Sequence, residues 1–113
     1  MNAYDLYIGA PVRVETPTGW KETNIYTLGR LSCAVNNLDE YDYSKIHPIP
    51  LTSLWLLDVE QALLNNDMDI EYNSNGNNWI LRDTESRITI TTVKYQHELI
   101  KLFELLTGYD IFS

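Results

Sequence analysis

Ile46-His47-Pro48-Ile49-Pro50-Leu51-Thr52-Ser53-Leu54-Trp55-Leu56-Leu57 divides the chain into two kinds of sequence. Pro48 and Pro50 each fix their own φ and push the preceding residue out of α conformation, so residues 47–50 read as an extended, stiff connector. Thr52 then stands where an N-cap belongs, its hydroxyl placed to accept from an early helical amide, and residues 53–64 are mostly good helix formers. Trp55, Val59, Ala62 and Leu63 share one face by their spacing, Leu56 and Leu64 widen that stripe, and Asp58, Glu60 and Gln61 turn to water. A helix this apolar is expected to be covered on two sides, by the sheet before it and the sheet after it.

Upstream of the connector the sequence is β-rich. Val12, Val14 and Thr16 alternate with Arg13 and Glu15, the period of a half-buried strand, and Pro17-Thr18-Gly19 supplies turn chemistry. Thr23, Ile25, Tyr26 and Thr27 give residues 20–28 the β-branched and aromatic content of a second strand, which ends at the bend allowed by Gly29. Residues 30–35 read as a third strand, Asn36-Asn37 as a turn, and residues 41–46 as a fourth. Several short strands in about 40 residues predict a curled, barrel-like sheet that hides its edges by closure.

Downstream, Asn65-Asn66-Asp67 ends the helix. Residues 68–72 and 79–82 read as strands of a hairpin whose polar loop carries the Asn75-Gly76 turn signal. Asp83-Thr84-Glu85-Ser86 turns the chain again, and Arg87-Ile88-Thr89-Ile90-Thr91-Thr92-Val93 alternates with period two. Residues 94–107 place Tyr95, Leu99, Leu102, Phe103 and Leu106 on one helical face, and Gly108 stands where a left-handed C-terminal cap belongs. The predicted fold is α+β: a small N-terminal barrel-like antiparallel sheet (residues 1–50), then helix, three-stranded antiparallel meander and C-terminal helix (residues 51–113), packed as one compact unit.

Composition excludes more than it identifies. The chain has 113 residues, with 8 Lys+Arg against 16 Asp+Glu, a net charge of −8. At 44% hydrophobic and 21% charged it has globular rather than disordered composition. No run reaches the roughly 18 apolar residues of a membrane span, and Met1-Asn2-Ala3-Tyr4-Asp5 lacks the regions of a secretory signal, so a cytoplasmic protein without a membrane partner is expected. The acidic balance repels phosphate, which disfavours direct nucleic-acid binding and favours a partner with a basic surface. Cys33 is the single cysteine; it excludes an intrachain disulfide and multi-cysteine metal sites, and between Ser32 and Ala34 on a strand it reads as core.

The motifs that resemble chemistry resolve to structure. Glu71-x-Asn73-x-Asn75-Gly76 resembles the start of a calcium loop, but the twelfth position is the cation Arg82 and the flanks are strands. His47 and His97 lie fifty residues apart with no second ligand at metal-binding spacing, so both read as surface or capping residues. Asp67, Asp69 and Glu71 share a strand face, a common arrangement of solvated charge. No phosphate-cradling glycine loop or nucleophile elbow is present; no cofactor, metal or catalytic residue is expected, and the chain is read as a non-enzyme. The segment that stands out is Asp39-Glu40-Tyr41-Asp42-Tyr43, where tyrosines interleave with carboxylates. With Trp20 and Tyr26 it is expected to form a partner-binding groove; the plain alternative is an edge strand with tyrosines inward and carboxylates outward.

Three segments, in order, also carry a resemblance: Asp5-Leu6-Tyr7-Ile8-Gly9-Ala10-Pro11-Val12, the stretch 46–57 quoted above, and His97-Glu98-Leu99-Ile100-Lys101-Leu102-Phe103-Glu104-Leu105-Leu106-Thr107-Gly108. They resemble a family of small uncharacterised proteins of gut Bacteroidetes and their phages or mobile elements, with a central P-I-P-L-T-x-x-W-L and a closing H-x-L-x-x-L-x-x-x-L-T-G motif. The resemblance implies a shared architecture and a bacterial host cell, and it brings no activity or site residue with it. Tyr7 and Ala10 depart from the family's usual Arg and Asn. Ser53-Leu54 replaces an acidic pair, and Asp58-Val59-Glu60 replaces a segment that commonly contains glycine, so a longer central helix is expected here. The functional expectation is a phage or mobile-element accessory protein that binds another protein, with self-association and virion association left open. The alternative is an acidic nucleic-acid mimic that inhibits a host DNA- or RNA-binding enzyme.

Overall fold

The computed structural model describes residues 6–30, 32–36 and 39–112. The fold is α+β, and the chain divides within the proline connector into two compact units, Met1–Ile49 and Pro50–Ser113.

In the first unit, five antiparallel strands lie in the order β4-β3-β2-β1-β5: β1 (Pro11–Thr16), β2 (Gly19–Leu28), β3 (Ser32–Val35), β4 (Glu40–Asp42) and β5 (Ile46–Pro48). β2 is long enough to serve both halves of the sheet. Its first part pairs with β1 and its last part with β3, and the register shifts between Ile25 and Thr27, an irregularity that bends a strand and increases its twist. The sequence predicts one strand over 41–46. The structure instead places a single 3-10 turn, Tyr43–Lys45, between β4 and β5. The reason lies in the pairing: β4 joins β3 and β5 joins β1, at opposite ends of the strand order, so the chain must swing from one edge to the other. The result is a curled, five-stranded antiparallel half-barrel. Val12, Val14, Ile25, Val35 and Ile46 fill its interior, with Cys33 at 2% exposure among them. Pro48 sits in an edge strand, where its missing N–H breaks no ladder. The turn expected at Asn36-Asn37 reaches Asn37, outside the described residues; Asn36 donates its N–H to Asn24 O at 3.1 Å.

In the second unit, Thr52 caps as the sequence predicts, its Oγ1 accepting from Trp55 N at 3.2 Å. The helix it starts does not run through. α1 (Ser53–Leu57) and α2 (Glu60–Asn65) are separated at Asp58-Val59, where Asp58 and Val59 donate to Trp55 O and Leu56 O, three residues back rather than four. Leu56, Val59 and Leu63 are buried before, at and after this tightened turn, while Leu64, expected in the stripe, is 49% exposed. β6 (Met68–Asn73), β7 (Asn78–Asp83) and β8 (Thr89–Val93) form an antiparallel meander, and α3 (Gln96–Thr107) follows. Leu81 and Val93 from the sheet meet Leu99 and Phe103 from α3 in the second core.

Turn chemistry differs in detail from the sequence reading. In the β6–β7 loop the left-handed residue is Asn77 at φ 51°, not Gly76; a Cβ on Gly76 would stand 2.9 Å from Asn73 Nδ2, the end of a flexible side chain that can move aside. Asp83 Oδ1 accepts from Glu85 N at 2.9 Å and Ser86 N at 3.0 Å, which extends the next turn through Arg87 at φ 62° and starts β8 at Thr89. α3 begins after Tyr95, an extended N-cap residue, because Glu98 Oε1 accepts from both Lys94 N and Tyr95 N at 2.9 Å. Gly108 closes the helix at φ 80°, as expected.

Candidate functional site

The period-two geometry of the half-barrel sorts the residues singled out by sequence. Tyr41 is paired with buried Cys33 and packs, with Tyr43, against the interior; the Tyr43 hydroxyl donates to Gly29 O at 2.5 Å. Burial raises both the Cys33 thiol and, reinforced by Cys33 beside it, the Tyr43 phenol above their ordinary ranges. Asp39, Glu40 and Asp42 are exposed, and Glu40 accepts from Ser32 Oγ at 2.9 Å. Trp20 and Tyr26 are about half exposed, at 53% and 52%. They lie on the outer face of β2, opposite the inward Ile25, so they do not share a groove with the inward-packed Tyr41 and Tyr43. The carboxylates of β4 remain at the surface without the tyrosine rings.

Around Trp20 the strands gather a cluster that sequence reading did not find. Val12 and Val14 point inward, so Arg13 and Glu15 point outward from β1; register then places His47 of β5 and Glu22 of β2 beside Arg13, and Trp20 beside Glu15. The Arg13 guanidinium carbon lies 4.7 Å from the Trp20 ring centroid, and the His47 ring meets Trp20 edge-on at 4.8 Å and 89°. Lys45 Nζ is 3.5 Å from Glu15 Oε2, and His47 Nε2 is 3.7 Å from Glu15 Oε1. Glu15, Thr16, Gly19, Trp20 and Lys45 line an open depression of about 360 Å³. A half-exposed tryptophan is therefore held between a cation and an imidazole, within charges of both signs. His47 occupies this surface as the sequence predicts. His97 does not: it is 5% exposed, with its ring stacked on Tyr95 at a centroid distance of 6.0 Å.

The second unit carries a different feature. A cavity of about 220 Å³ runs between the helices and β6. Leu56 and Leu63 lie deep in it, Leu57 and Leu64 stand at its mouth with 64% and 49% exposure, and Met68 and Ile70 supply the opposite wall. Glu60 and Asp69 are its charged residues among those described. The calcium-like loop is occupied by its own protein: Arg82 is ion-paired to Glu71, and the Tyr72 hydroxyl bonds Asn77 Oδ1 at 2.8 Å. Among the described residues no group of three or more His, Cys, Asp and Glu is placed to hold a metal ion, and no helix is long and apolar enough to cross a membrane.

No protein-family model matches the chain, and no match is found among the curated proteins or the solved structures.

Proposed function

We propose that this chain acts non-enzymatically by binding another protein, as an accessory protein of a phage or mobile element in the cytoplasm of a bacterial host, with the outer face around Trp20 as the contact. The observation that carries the reading is the fixed, half-exposed indole of Trp20, braced by Arg13 at 4.7 Å and His47 at 4.8 Å. Tryptophan and arginine are the residues that most often anchor protein interfaces. A ring already held in place loses little freedom on binding, so more of its contact energy is kept as affinity. The exposed carboxylates of Asp39, Glu40 and Asp42, and the net charge of −8, favour a partner surface with excess positive charge. Around Trp20 itself the charges alternate, Arg13 and Lys45 against Glu15 and Glu22, which supports contact with a protein over mimicry of a uniformly anionic nucleic acid.

The test is photo-crosslinking in the bacterial host. Glu22→benzoylphenylalanine, on the same outer face with Trp20 left in place, is expected to give a discrete protein adduct that Glu85→benzoylphenylalanine, on an exposed turn of the other unit, does not give. The same adducts from both positions, or none from position 22, would contradict the assignment.

A further inference from the structure

We propose that β6 and the apolar cavity beside it form a strand-addition site for an extended partner segment in which basic and apolar residues alternate. This inference rests on a surface separate from the Trp20 face, and it concerns how a partner would be read rather than whether one exists.

Among the described residues β6 is an edge of its sheet, paired only with β7. Asp67 O accepts from Thr84 N at 2.9 Å, just before the ladder begins. In an antiparallel pair the bonded positions alternate, so Asp69↔Arg82 and Glu71↔Ile80 are the bonded pairs, and the N–H and C=O groups of Met68, Ile70 and Tyr72 point away from β7. Asp83, opposite Met68, is consistent with this, since it gives its N–H to Ile88 O at 3.0 Å on its other side. The open edge therefore presents a row of main-chain donors and acceptors.

The cavity lies along that edge. Met68 and Ile70 face one side of the sheet and Asp69 the other, yet all three line it, so it follows the strand's margin rather than one face. A strand added to β6 would place alternate side chains beside Ile70, toward Leu57 and Leu64, and the intervening ones beside Asp69 and Glu71. About 220 Å³ accommodates a leucine or phenylalanine side chain, since an apolar cavity of ~150 Å³ already holds benzene. The opposite positions meet the carboxylate of Asp69 and that of Glu71, the latter shared with Arg82, which favours Lys or Arg there; Glu60 stands on the cavity side. Main-chain bonds supply affinity in this mode and alternate pockets supply specificity.

The probe is the capped seven-residue peptide Lys-Leu-Lys-Phe-Lys-Leu-Lys, titrated calorimetrically into the full chain. N-methylation of the peptide amides that face β6 is expected to weaken binding by about tenfold or more, the sum of a few backbone hydrogen bonds. Leu57→Lys with Leu64→Lys, both at exposed positions that leave the cores intact, is expected to weaken it by a similar factor. Trp20→Ala is expected to leave it unchanged, so failure of this site and failure of the Trp20 face read out separately. Equal affinity for the N-methylated peptide, no binding at millimolar concentration, or loss of binding in Trp20→Ala would overturn the proposal. So would concentration-dependent dimerisation of the free chain with protected β6 amides, which would make a second copy the occupant.

Discussion

Asp83 shows how one side chain sets a turn and titrates with it. Its carboxylate accepts from the Ser86 and Glu85 amides, and the Ser86 bond is the main reason its pKa lies below the ordinary carboxylate value. A carboxyl whose folded pKa is depressed contributes stability above its unfolded pKa and loses it as pH falls through the folded value. Asp83→Ala is therefore expected to lower thermal stability at neutral pH, with the gap to the parent chain narrowing in acid; a gap independent of pH would show that the carboxylate is not the cause. Cys33, at 2% exposure with its thiol raised by burial, is expected to react with a disulfide reagent at least tenfold more slowly in the folded chain than in denaturant. The burial of Cys33 was legible from its neighbours, because a small apolar side chain between strand residues has few other places to go. The cluster around Trp20 was legible only in part. The tight turn after Thr16 fixes Glu15 opposite Trp20, but His47 reaches Arg13 through a pairing of β1 with a strand some thirty residues on, which local pattern does not encode.

At the scale of elements, the sequence carried starts and stops better than continuity. Thr52 and Gly108 sit at the helix ends their chemistry predicts. Thr52→Ala is expected to cost about 1 kcal/mol by removing the hydroxyl that accepts from Trp55 N, measured by denaturant unfolding. Phe103→Ala, which empties a 1%-exposed position on α3, is expected to cost about 3–5 kcal/mol. Similar costs for the two would contradict the division between local capping and core packing. The break between α1 and α2 was hidden because helical periodicity counts apolar spacing and cannot see a tightened turn. Leu56, Val59 and Leu63, at i, i+3 and i+7, share a face of a continuous helix equally well, so their spacing reads the same with or without the turn. In the same way, alternation across 41–46 reads as one strand whether or not the chain changes pairing partner at Tyr43.

For the whole molecule, the α+β class and the barrel-like character of the first unit follow from patterning alone, because turn residues recur every few positions before Pro48 and helical periodicity appears after it. The proposed contact was less legible, since a contact surface leaves no fixed spacing in a sequence. The net charge of −8 still makes a prediction at this scale: partner association should weaken as salt rises from about 0.05 to 0.5 M, and insensitivity to salt would exclude a basic partner surface. The central claim, that the exposed indole of the first unit anchors a protein contact, is tested most directly by quantitative affinity capture from host cells with the parent chain and Trp20→Ala, both shown to be folded by circular dichroism. The account predicts a defined set of proteins retained by the parent and depleted about tenfold or more by the substitution. Equal recovery of the same proteins by both chains would contradict it.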